Sequence, residues 1–66
     1  MARISNKYAQ DLKPQDLIIY DGKVCTVKKV VDKNNWITIA MVPAMLKSTL
    51  TVEVYPLSYH ECLILG

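Results

Sequence analysis

The pair Asp21-Gly22 constrains this chain more than any other feature. It stands between Leu17-Ile18-Ile19-Tyr20 and the valine-rich run Lys23 to Val31, both of them β-prone. A two-residue connection between antiparallel strands favours a type I′ turn, which needs positive φ at both central positions, and Asp-Gly is among the few pairs that hold it at little cost. The flanking runs therefore predict a hairpin, and the rest of the chain has to be compatible with a sheet.

Ahead of the hairpin, Lys13-Pro14-Gln15-Asp16 is a turn signal, because Pro14 fixes its own φ and drives Lys13 into an extended conformation. The second hairpin strand alternates imperfectly, with Cys25, Val27 and Val31 on one face and Val24, Thr26, Lys28 and Val30 on the other, so its far end is expected to bend. The polar turn Asp32-Lys33-Asn34-Asn35 leads into a third strand, Trp36 to Met41, with Ile37, Ile39 and Met41 facing one way. Pro43 removes a ladder donor and is expected to end that strand, leaving 42–48 as a loop or a single helical turn.

Thr49 to Tyr55 alternates cleanly, with Leu50, Val52 and Val54 inward. After Pro56-Leu57-Ser58, a last strand runs from Tyr59 to Leu65, its inward face either His60, Cys62 and Ile64 or Tyr59, Leu63 and Leu65. Residues 1–12 lack steady periodicity and read as an N-terminal arm, in which Ile4, Tyr8 and Leu12 would share a face if it were helical. Five short, evenly spaced strands point to an all-β barrel or sandwich over residues 13–66, and closure into a barrel would remove exposed strand edges. Sixty-six residues make one domain with a thin core, since chains of this size bury only about 60% of their unfolded surface.

The run Asp11-Leu12-Lys13-Pro14-Gln15-Asp16-Leu17-Ile18-Ile19-Tyr20-Asp21-Gly22-Lys23-Val24-Cys25-Thr26-Val27 resembles the opening of the N-terminal, KOW-like domain of the elongation factor P family. Leu50 to Tyr55 and Tyr59 to Ile64 are similar to the late strands of the same domain. The resemblance implies a small five-stranded SH3-like barrel with a short N-terminal arm, working in a nucleic-acid or ribonucleoprotein setting. Two departures weigh against a translation-factor activity. Gln15 stands where that family has glycine, and the loop Asp32 to Asn35 is short and lacks glycine.

Composition narrows the function classes. Eight Lys and Arg against six Asp and Glu leave a net charge of +2, which permits a nucleic-acid partner without requiring one. The longest apolar stretch, Ile37 to Leu46, is interrupted by Thr38 and Pro43 and is far short of a membrane span, so a soluble, cytoplasmic protein without a membrane partner is expected. Two cysteines are too few for the disulfide framework of a small secreted domain and read as reduced.

Catalysis would need a nucleophile with a base in a pocket, and Cys25 with His60 is the sole pairing the sequence offers, if their strands were neighbours. The same pair with Cys62 makes an incomplete zinc set, so neither enzyme activity nor a metal or other cofactor is expected, and the thiols read as small core hydrophobes. Lys28, Lys29 and Lys33, with Lys23 and the rings of Trp36 and Tyr20, suggest a basic, ring-bearing surface for nucleic acid, against the plainer reading of a solvated sheet face. Met41, Val42, Met45 and Leu46 surround Pro43 and read either as cover for a barrel mouth or as a protein-interaction or self-association surface. The expected function is thus a small binding module for nucleic acid, or alternatively for protein, of a size that would suit a phage accessory role.

Overall fold

Asp21 and Gly22 adopt φ of +52° and +73°, and the strands on either side pair as the turn requires. The computed structural model describes residues 2–65. In chain order they form β1 (Arg3–Tyr8), a 3₁₀ turn (Ala9–Asp11), β2 (Leu17–Tyr20), β3 (Lys23–Asp32), β4 (Ile37–Pro43), β5 (Leu50–Val54) and β6 (Tyr59–Ile64). All five expected strands are present, as β2 to β6. They belong to a single antiparallel sheet in the order β1-β6-β2-β3-β4-β5.

Two features of the expected architecture need correction. The segment expected as an arm is a sixth strand: β1 pairs with β6 along its whole length, from Arg3 opposite Ile64 to Tyr8 opposite Tyr59. Its partner lies more than fifty residues away, so no local pattern could announce it. The sheet is also not closed, because β1 and β5 are its two edges and do not pair.

The buried side chains all project from one face of the sheet and have only the short 3₁₀ turn to cover them, so the sheet must curl around them, and that face is its concave side. Ile18 is flanked on one side by Cys25 and on the other by Cys62, all three buried. Val27, Ile37, Ile39 and Met41 continue the same face across β3 and β4 and are buried too. Ala9 and Leu12, in and after the 3₁₀ turn, close this core, and the turn is tied down by hydrogen bonds from the Ala9 N–H to the Ser58 carbonyl (2.9 Å) and the Gln10 N–H to the Pro56 carbonyl (3.0 Å).

The expected bend in β3 is a bulge. Val27 pairs with Met41 but Lys29 pairs with Ala40, so one extra residue is inserted and the alternation reverses. Val30, not Val31, therefore packs on the core opposite Ile39, while Val31 lies opposite Thr38 on the convex face. β4 also runs further than expected, to a buried Pro43 opposite Cys25. In β6 the inward set is His60, Cys62 and Ile64, which resolves the open register; in β5 Val52 and Val54 are only half-buried and Leu50 is exposed, because β5 is an edge.

Candidate nucleic-acid interface

The convex face of β3, β4 and β5 carries Lys29 and Trp36, two of the four residues expected to bind nucleic acid, with Lys33 in the β3–β4 turn and Lys28 at the bulge beside them. Cross-strand register places Lys29, Ala40 and Thr51 in one row and Val31, Thr38 and Glu53 in the next. Beyond the pairing of Ile37 with Val54, the same register brings Trp36 against Tyr55, whose rings stack with centroids 4.7 Å apart and planes 25° from parallel. Trp36 is 42% exposed and Tyr55 65% exposed, so this pair is a surface feature and not core.

Local chemistry holds the platform in place. The Lys33 N–H donates to the Trp36 carbonyl at 2.8 Å, and the Asn34 N–H donates to the Asp32 carboxylate at 2.9 Å with Asn34 at φ +67°, so the β3–β4 turn sets both Lys33 and Trp36. On the other strand, the Tyr55 carbonyl accepts from the Ser58 N–H (3.1 Å) and the Ser58 hydroxyl (2.7 Å), which fixes the turn after Tyr55. Lys28 is the residue added at the bulge and is exposed beside Lys29. Small side chains, Thr38, Ala40 and Thr51, occupy the middle of the face between the rings and Lys29, and Glu53 is the acidic group there.

Tyr20 and Lys23 do not join this group. They face each other at the tip of the β2–β3 hairpin, at the other end of β3 from Lys33, and Tyr20 packs against the core.

No family model, curated protein or solved structure matches this chain.

The residues expected to contact protein are divided by the fold. Met41 is completely buried and Val42 half-buried, so neither is a free surface anchor, whereas Met45 is 90% exposed and Leu46 is exposed as well. Leu46 borders a cleft of about 280 Å³ lined by Tyr20, Cys25, Pro43 and Leu50, with Asp21, Lys23, Ser48 and Thr49 completing it.

The thiols and the histidine are distributed differently from either pairing considered in the sequence. β2 lies between β3 and β6, so Cys25 and Cys62 are each opposite Ile18 and two strand spacings apart, about 9–10 Å, which is beyond disulfide reach. The same intervening strand separates Cys25 from His60. Burial pushes both thiols above their ordinary pKa, and burial pushes His60 below its own. The His60 ring lies 3.1 Å from the Ser58 hydroxyl.

A second aromatic stack has no counterpart in the sequence pattern. Tyr8 and Tyr59 lie ring on ring at 4.5 Å, joined by a hydrogen bond from the Tyr59 hydroxyl to that of Tyr8 at 2.9 Å. It depends on the β1–β6 pairing, so the signal that would reveal it is the long-range register itself.

Proposed function

We propose that this chain binds single-stranded nucleic acid on the convex face of β3, β4 and β5. The observation that carries the reading is the exposed Trp36–Tyr55 stack, held on the same face as Lys29 and in the same turn as Lys33. A base stacks on the indole because every base has a π-face, and Lys28, Lys29 and Lys33 take the phosphates, a division of labour common to proteins that bind single strands with little sequence preference. The low middle of the face, Thr38, Ala40 and Thr51, leaves room for a strand to lie between rings and lysines. The order of β2 to β6, with β6 returning beside β2 and the others in sequence, supports relating the sheet to SH3-like barrels, and with them to the KOW-like resemblance.

The test is a titration with a fluorescent oligonucleotide at several salt concentrations, with quenching of Trp36, the single tryptophan, as an independent signal. Replacing Lys28, Lys29 and Lys33 with Ala should flatten the log–log salt slope by about 0.7 for each phosphate no longer neutralised. Trp36→Ala should cost about 1–3 kcal/mol of binding with the slope unchanged. Absence of saturable binding by the wild type at low salt would sink the proposal.

The cleft favours a second reading, a site for an apolar side chain of a protein partner. Tyr20, Pro43, Leu46 and Leu50 line it and Met45 stands exposed beside Leu46. Binding there would be insensitive to salt and abolished by Leu46→Asp, with the lysine variants unaffected.

A further inference from the structure

The two edges of the sheet are unlike. β1 places Arg3, Ser5 and Lys7 on its concave side, opposite Ile64, Cys62 and His60, and charges on the inner side of an edge strand block further pairing. β5 has no Lys, Arg or Pro and pairs with β4 without a bulge. Its concave residues are Leu50, Val52 and Val54, and Leu50 is 39% exposed. Alternate residues of β5 turn their N–H and C=O away from β4, which leaves a row of donors and acceptors with no strand beyond it.

The sequence of β5 is complementary to itself. We propose that β5 pairs antiparallel with β5 of a second copy of this chain, about a twofold axis through Val52, joining two sheets into one. Pairing about a residue keeps concave side chains with concave ones, so Leu50 meets the partner's Val54, and Val52 meets the partner's Val52. The two apolar rows become continuous and Leu50 loses its exposure. On the convex face Thr51 lies opposite the partner's Glu53, twice by symmetry. Moving the axis to Glu53 would set two carboxylates against each other, and moving it to Thr51 would set Val54 against Ser48; the axis at Val52 alone pairs all five strand residues.

A five-residue ladder is about 17 Å long, short of the roughly 800 Å² per partner of standard stable complexes, so the dimer is weak, micromolar or above. Sedimentation velocity of the full chain across a concentration series reads it directly. Within one copy Thr51 is exposed and faces Ala40, so changes there leave the monomer folded. Thr51→Glu sets like charges opposite each other in both contacts and should raise the dissociation constant by about two- to thirtyfold; Thr51→Lys should lower it by a similar factor. Combining Thr51→Glu with Glu53→Lys should restore association. A wild type that stays monomeric to millimolar concentration, or equal effects of Thr51→Glu and Thr51→Lys, would overturn the proposal.

Discussion

Among the described residues four carry positive φ, and they differ in how readable they are. Asp21, Gly22 and Asn34 are of types that tolerate the left-handed region, and both turns are expected from them. Gln15, at φ +79°, has no such preference. It is held there from outside: Lys13 N–H donates to the Asp16 carboxylate, Gln15 N–H to the Val27 carbonyl, and Val27 N–H to the Asp16 carbonyl. With Pro14 before it, Gln15 occupies the position of a type II turn that favours glycine, so Gln15→Gly should stabilise the chain by about 0.5–1 kcal/mol in a urea melt. Gly22→Val should do the opposite, costing more than about 1 kcal/mol, and since a Cβ at Gly22 would touch nothing within 4 Å, the strain of holding a β-branched residue at positive φ, and not a clash at Cβ, is the source of that cost. His60 adds a pH dependence. Its folded pKa is depressed by burial, so the unfolded chain binds the proton more readily; stability is fully present above about pH 6.5 and falls as pH drops through the folded value. Urea midpoints at pH 5 to 8 should show that share of the slope disappear in His60→Asn.

At the scale of elements, alternation is readable wherever a strand is regular and misleading where it is not. Ile37, Ile39 and Met41 fall in the core by period-two spacing and are buried, because β4 is paired on both sides and carries no inserted residue of its own. In β3 the same logic puts Val31 inward, and the bulge at Lys28 reverses it. Two adjacent valines cannot reveal which of them faces in, since either register buries one. Val30→Thr should therefore cost about 1–2 kcal/mol by setting a hydroxyl against Ile39, while Val31→Thr, beside Thr38, should change stability by less than about 0.5 kcal/mol. Equal melting shifts for the two would contradict the bulge. The lysines of the candidate interface stand out as a cluster along the chain, and what sequence could not supply is the Trp36–Tyr55 pairing across β4 and β5 that makes Trp36 a surface ring.

At the scale of the whole molecule, the question is whether β2 to β6 form a unit to which β1 is added, since residues 13–66 read as a barrel by themselves and β1 is invisible to local pattern. The two buried thiols answer it, because they sit on either side of Ile18 with different neighbours. Cys25 is enclosed by β2 and β4, opposite Ile18 and Pro43; Cys62 is enclosed by β2 and β1, opposite Ile18 and Ser5. A chain lacking residues 1–8 keeps Ala9 and Leu12 over the core but turns β6 into an edge. If the five remaining strands hold together, a thiol reagent should modify Cys62 much faster than in the full chain and Cys25 at nearly the old rate, because Cys62 alone is left without a wall. If β1 is integral to cooperative folding, both rates should rise together, as they do when exchange runs through global unfolding. The sheet order places β1 beside β6 alone, and its removal breaks no pairing among the other five strands, so the unequal outcome is the one expected.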